Sequence, residues 1–364
     1  MSGKVIYING RFLTQTITGV QRYAIEILKG IDKVIDKNPA YLKGIKLIIL
    51  MPNQLPNTTI TFRHIKQRKV GKLKGHLWEQ FELPYFSRGC GLINLCNLSP
   101  LVKRSQIITI HDVAVYTRHN NQSILFKYWY KVNYNIFKGR FKKVLTVSEF
   151  SLDEIVRYKI FPREKITVTQ EGKEHILKVK EDYSVFDKHS LNPKEYFLAV
   201  SSLNPTKNFK GIVNALKLLD ENVTVVIAGG SNSKVFNEED IVFPGNVKRV
   251  GYISDSELKA LYLEAKGFIY PSLYEGFGLP PLEAMSLGCP VIVSNAASLP
   301  EVCKDAAVYC NPYDPKDIAR TIKLLNEDNH LRSELSRKGS LRSESYSWER
   351  AAENILEVLK EIYS

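Results

Sequence analysis

A chain of 364 residues is long for one hydrophobic core and natural for two domains. Its 44% hydrophobic and 24% charged residues are globular proportions, and no apolar run of about 18 residues offers a transmembrane helix. A formal net charge of +13 asks for an anionic partner, whether nucleic acid, an anionic membrane surface or a phosphorylated substrate.

The chain enters a strand at once, Val5 to Ile8, with no apolar core of signal-peptide length before it. Five cysteines (Cys90, Cys96, Cys289, Cys303, Cys310) show no CxxC spacing and no histidine at ligand spacing. This pattern reads as reduced thiols in a cytosolic protein, with no metal site. After Gly19, residues Ala24, Ile25, Leu28 and Ile31 recur at helical spacing. Gly19 then sits at a strand-to-helix turn, either facing a ligand cleft or simply making the turn; a GxGxxG fingerprint is absent. A strand at Ile45 to Leu50 is followed by Arg63 to Lys74, which holds six basic residues and no acid. Gln106 to Ile110 reads as a buried strand ending in His111-Asp112, at the end that faces the ligand crevice of an open α/β sheet. Lys127 to Phe141 carries Tyr130, Tyr134, Phe137 and Phe141 at helical spacing, and Lys127 to Lys143 again holds six basic residues and no acid. That pattern fits a core-packing helix with a basic outer face or a helix lying on a membrane surface. Strands at Lys143 to Val147 and Ile166 to Val168 follow, with a helix between them capped by Ser151 or Ser148.

The polar stretch 173–195 lacks strong periodicity and reads as an interdomain linker. It separates an N-terminal domain, 1–172, from a C-terminal domain, 196–345. In the latter, βα alternation is regular. Phe197 to Val200 is a strand, followed by a loop through Ser202 and Lys207 and a helix with Ile212, Ala215, Leu216 and Leu219. Val223 to Ala228 and Val247 to Gly251 are strands, and Ser254 to Glu257 matches a capping box. Then Gly267 to Tyr270 and Pro290 to Val293 bracket a stretch running Pro271-Ser272-Leu273-Tyr274-Glu275-Gly276-Phe277-Gly278-Leu279-Pro280-Pro281-Leu282-Glu283. This reads as strand, glycine loop, helix N-terminus, next strand. Small glycines admit close backbone approach, and the helix N-terminus offers N–H groups and a positive dipole end to a phosphate. Two carboxylates beside such a place suit sugar hydroxyls better than phosphate. A final helix, 346–364, sets Ala352, Ile355, Leu356 and Leu359 on one face.

The spacing Glu275-x7-Glu283 around Gly-Phe-Gly-Leu-Pro resembles the signature of the family-4 retaining glycosyltransferases. The resemblance implies an α/β protein of GT-B type, with two doubly wound Rossmann-like domains facing each other across a cleft. It covers the C-terminal half throughout and the N-terminal half at scattered points. By resemblance, Glu275 lies against the donor sugar and Glu283 holds the ribose. Backbone amides of Gly276, Phe277, Gly278 and Leu279 contact sugar and diphosphate. Lys207 matches the lysine that holds the diphosphate, and Gly19 the glycine loop opposite it. His111 matches a histidine next to the donor sugar, so Glu275, His111 and Lys207 are the candidate catalytic residues. The family's usual arginine, five residues before the lysine, is replaced by Ser202, leaving Arg22 or Lys210 as the neighbouring candidates for a second cation. The final helix is expected to pack back on the N-terminal domain. The implied reaction moves a sugar from a UDP- or GDP-sugar to a glycan or lipid-diphosphate acceptor, with no metal and no further cofactor. A bacterial cell-surface polysaccharide pathway (O-antigen, capsule or exopolysaccharide) at the inner face of the plasma membrane is the implied setting. Two other classes compete. A nucleotide-sugar-binding protein without turnover would keep the same pocket. A nucleic-acid-binding protein would explain the charge, but no motif of that class is present.

Overall fold

The computed structural model describes residues 4–42, 44–57, 59–117, 123–136, 141–200, 205–219, 223–229 and 243–363. These form two compact units. One holds the described residues of Met1–Thr117, Gln122–Gly172 and Ser347–Ser364, the other those of Lys173–Tyr346.

The first unit is built on a seven-stranded sheet in the order β3-β2-β1-β4-β5-β6-β7, parallel throughout. Its strands are β1 (Lys4–Asn9), β2 (Ile45–Pro52), β3 (Lys66–Val70), β4 (Gly91–Asn94), β5 (Gln106–Thr109), β6 (Phe141–Thr146) and β7 (Ile166–Val168). The inner strands are apolar almost without a break, as expected for strands covered on both faces. The covering helices are α1 (Gly19–Lys37), then α2 (Gly75–Leu77) and α3 (Leu83–Phe86) joined by a π-turn at Trp78–Glu82, then α4 (Ile124–Ile136) and α5 (Glu149–Arg157). Trp78 and Leu83 pack with Leu50, Val70 and Leu92, and Tyr134 and Leu152 pack with Ile108 and Val144.

The second unit carries a six-stranded parallel sheet in the order β10-β9-β8-β11-β12-β13. The strands are β8 (Tyr196–Val200), β9 (Thr224–Ala228), β10 (Val247–Gly251), β11 (Gly267–Tyr270), β12 (Val291–Ser294) and β13 (Ala307–Cys310). The helices are α6 (Glu174–Lys178), α7 (Ser184–His189), α8 (Phe209–Leu216), α9 (Asp255–Leu263), α10 (Leu279–Ser286), α11 (Leu299–Cys303), α12 (Pro315–Glu327) and α13 (Asn329–Ser343). The Ser254–Glu257 capping box is formed: Ser254 Oγ accepts from Glu257 N, and Ser254 N donates to the Glu257 carboxylate at 2.8 Å.

Two expectations are corrected and one alternative is resolved. The 173–195 stretch is not a free connection; α6 and α7 bury Ile176, Val185 and Phe186 in the second unit. Helices of five and six residues are too short for hydrophobic periodicity to register. Phe141 opens β6 rather than extending α4, which ends at Ile136 among the described residues; Phe137, Lys138 and Arg140 lie outside them. Of the two candidate caps of α5, the one used is Ser148, whose Oγ accepts from Ser151 N at 3.0 Å.

The chain finally returns to the first unit as α14 (Trp348–Tyr363), which lies along α1. The crossing is close. A Cβ on Gly30 would meet Trp348 O at 2.7 Å and Ala352 Cβ at 2.9 Å, so only glycine fits there. Glu349 pairs with Lys33 at 2.5 Å and also with Lys37, and Trp348 meets the edge of Tyr23.

Candidate active site

The order of the second sheet reverses between β8 and β11. Loops leaving those two strands diverge, and in open α/β sheets a ligand crevice opens at that point. Both loops carry candidate residues. Lys207 closes a single turn, Pro205–Lys207, after β8. Glu275 lies in the loop after β11. The loops are tied together: Leu273 N donates to Thr206 O at 2.7 Å, and Asn208 Nδ2 donates to Pro271 O at 3.1 Å. Lys207 Nζ donates to Glu275 Oε1 at 2.6 Å and to the Tyr270 hydroxyl at 2.7 Å. Ser272 Oγ reaches the same Glu275 oxygen at 2.5 Å. Burial works to lower the Lys207 pKa, but the Glu275 charge and the Tyr270 oxygen outweigh it and hold the ammonium above its ordinary range. Burial likewise raises the Tyr270 phenol, so it stays protonated. The result is a fixed cation beside a carboxylate at the switch point.

The loop between Glu275 and α10 is held from below. Ser298 Oγ reaches Phe277 O at 2.7 Å and Glu275 O at 3.1 Å. Gly278 has φ +111° and immediately precedes α10; Pro280 and Pro281 follow in the first turn. The Phe277 ring turns inward, edge-on to Tyr346 at 5.4 Å, and Leu279 is buried. So this loop presents backbone, not side chains, to whatever binds there. Glu283, on the second turn of α10, is buried and doubly held. His175 Nε2 lies 2.7 Å from its Oε1, and the Tyr262 hydroxyl donates to Oε2 at 3.1 Å. Burial, reinforced by the Glu283 charge, pushes the Tyr262 pKa well up, so it remains a donor. His175 comes from the stretch expected to be a linker, and no motif singled it out. Ser202 lies outside the described residues.

In the first unit, Gly19 begins α1, with Thr18 N donating to Gln21 Oε1 at 3.2 Å across the turn. A Cβ on Gly19 would meet nothing within 4 Å, so this glycine borders open space. His111 follows β5 and is buried. Its Nε2 lies 2.9 Å from Leu95 O, which makes Nε2 the protonated nitrogen, and Nδ1 lies 3.9 Å from Glu171 Oε1. Burial lowers its pKa to about 4, against a smaller opposite effect from the Leu95 hydrogen bond; the ring is neutral at pH 7. Asp112 Oδ1 accepts from Ala114 N at 2.8 Å and so orients its own loop.

This sheet also has a switch point, between β1 and β4, and it gathers a buried polar cluster that sequence reading missed. Asn9 Nδ2 donates to Glu79 Oε1 at 2.8 Å and to Asn94 Oδ1 at 3.1 Å. Arg11 Nε lies 3.2 Å from Glu79 Oε1, and His76 Nδ1 lies 3.4 Å from Glu79 Oε2. Burial opposes ionisation of Glu79, but His76, Arg11 and Asn9 together hold its pKa below the ordinary value. The one signal in the sequence was Asn9-Gly10-Arg11 at the end of an apolar strand. Among the described residues, no three His, Cys, Asp or Glu side chains are grouped to hold a metal ion, and no helix is long and apolar enough to cross a membrane.

With the geometry established, comparison with known proteins defines the class. The fold is that of the GT-B glycosyltransferases: HepE from Anabaena, solved with UDP and glucose, superposes with a TM-score of 0.75 over 99% of this chain and 100% of its own, at 15% identity. O-antigen chain mannosyltransferase B from Escherichia coli is 31% identical over 277 residues, 70% of each chain. O-antigen chain mannosyltransferase RfbU from Salmonella typhimurium is 27% identical over 342 residues, 88% of this chain and 90% of its own. The chain belongs to the glycosyl transferases group 1, whose family description matches residues 184–342, and it is a glycosyltransferase.

Proposed function

We propose that this glycosyltransferase moves a sugar, mannose before others, from a UDP- or GDP-linked donor to a glycan or lipid-diphosphate acceptor in bacterial cell-surface polysaccharide assembly. The observation that carries the reading is the Lys207–Glu275 pair at the β8/β11 switch point, beside a loop that offers backbone amides. The names of the two curated relatives favour mannose and O-antigen chains. Binding of UDP by HepE favours a nucleotide-linked donor.

In this reading the amides of Gly276, Phe277, Gly278 and Leu279 and the Lys207 ammonium take the donor diphosphate, while Glu283 accepts from the ribose. Glu275 faces the sugar as positive charge grows at its anomeric carbon. The acceptor hydroxyl oxygen bonds to that carbon on the face the phosphate leaves. The carbon–phosphate oxygen bond breaks, and the hydroxyl proton passes to the departing phosphate. Configuration is thereby retained. The leaving charge falls on Lys207 and backbone dipoles, so transfer proceeds without a divalent metal. Gly19 and a neutral His111 enter on family resemblance. The acceptor is presented at the inner face of the plasma membrane, where the basic first unit finds anionic lipid.

The test is transfer from GDP-mannose and from other GDP- and UDP-sugars to a lipid-diphosphate glycan, with and without EDTA, and NMR of the product. Transfer of mannose with the donor's anomeric configuration kept, unaffected by EDTA, is expected. An inverted product would overturn retention, and loss of turnover restored by a divalent ion would overturn the metal-free reading.

A further inference from the structure

The segment from α2 through the π-turn to α3 has two faces. Trp78, Glu79 and Leu83 face inward and are buried. Outward, large apolar side chains stand in water at every fourth position: Leu73 at 38% exposure, Leu77 at 59%, Phe81 at 68% and Tyr85 at 71%. Four-residue spacing drifts around an α-helix, but the wider π-turn between α2 and α3 offsets that drift, so Leu77, Phe81 and Tyr85 form one line. A single exposed apolar side chain needs no explanation; a line of them marks a contact surface.

The charge beside the line is of one sign. Lys66, Arg68 and Lys69 lie exposed on β3, the edge strand of the sheet, and Lys72 and Lys74 lead into α2. The two acids nearby are turned to other work. Glu79 is buried against Arg11, and the Glu82 carboxylate accepts from Lys72 N and Leu73 N at 2.9 Å. Basic residues on an edge strand also discourage strand pairing between copies, but that does not explain the apolar line. A second copy docked on this surface would set five cations against five.

We propose that this line and its basic flank seat on an anionic lipid bilayer, with Leu77, Phe81 and Tyr85 entering the interface and the 66–74 cations resting on headgroups. The proposal rests on the membrane setting of the proposed function, yet vesicle binding is read without any transfer, so either can fail alone. The whole chain is sedimented with vesicles of phosphatidylglycerol and phosphatidylcholine, and with phosphatidylcholine alone. Binding to the mixed vesicles, weakened by salt, is expected. Leu77→Ser/Phe81→Ser/Tyr85→Ser and the milder Phe81→Ala should each lower it with unchanged melting temperature, since these side chains are exposed. Lys66→Gln/Arg68→Gln/Lys69→Gln should lower it roughly a hundredfold, at about fivefold per cation. Binding that ignores both groups of substitutions, or absence of binding by the unaltered chain, overturns the proposal. So does light scattering showing that the apolar line instead holds two copies together in the absence of lipid.

Discussion

The two switch points of this protein are built alike and closed off from solvent to different degrees. At β8/β11, Lys207 and Glu275 are linked to each other and remain partly open, with 23% and 11% of their side-chain surface exposed. At β1/β4, Asn9, Arg11, Glu79 and Asn94 are tied into a network with Glu79 almost wholly buried. In the function proposed above, the first set exchanges partners with a ligand, while the second holds loops in place. The same topology thus carries an ion pair at both corners, and what separates them is how much solvent each cation and carboxylate keeps: 23% and 11% for Lys207 and Glu275, 11% and 2% for Arg11 and Glu79.

The comparison breaks most visibly at Glu79. Glu79→Ala would strand Arg11 beside a buried void, and breaking a buried ion pair costs on the order of 3–5 kcal/mol. Chemical denaturation should show that loss. A stability unchanged within error would mean the first corner is not structural. His111 offers a related test, through pH. The unfolded histidine takes up a proton near pH 6.5, the native ring only near 4. Its folded pKa is depressed, so this contribution is full above pH 6.5 and is lost as pH falls toward 4, by about 3 kcal/mol in all. His111→Gln should flatten that part of the stability–pH curve.

At the other corner, effects should appear in turnover before stability. Glu275→Gln keeps the shape and removes the charge, so kcat should fall roughly 10²-fold with little change in KM, as for loss of one electrostatic stabiliser. Equal loss in KM alone would make Glu275 a binding residue. Lys207→Ala should weaken nucleotide diphosphate binding by about 1.5–3 kcal/mol, the worth of a charge-assisted hydrogen bond, measured by calorimetry. If Glu283 holds the ribose as proposed, a contact similar before and during reaction, Glu283→Ala should chiefly raise the donor KM, and His175→Ala should follow it in the same direction at smaller size.

What sequence reading could reach follows the same division. The β8/β11 corner lies largely within Pro271 to Glu283, where glycines, prolines and two carboxylates fall close together between apolar strands, so local pattern carries it. The structural corner joins residues 9, 11, 79 and 94, which only the fold brings together. Strand β3 was hidden for another reason: an edge strand bearing Lys66, Arg68 and Lys69 has no apolar alternation to read. Strand β4 has four residues, too few for a period. His175 was missed because a five-residue helix in a charged stretch looks like connection, although its imidazole holds Glu283. Assignment of roles at Glu275, Glu283 and Lys207 came from resemblance; geometry adds which atoms they touch.

The crossing of α1 by α14 has a consequence in time. Gly30 and Tyr23 wait for Trp348 and Ala352, which leave the ribosome more than three hundred residues later. At elongation rates of about 5–20 residues per second, that interval is roughly 15–60 s. For roughly the second half of that interval every strand of the first sheet has been made, yet the face of α1 that α14 covers still lacks it. The second unit, contiguous from Lys173 to Tyr346, faces no such delay. Order of completion therefore runs against order of synthesis: the part of the protein made first is the part finished last.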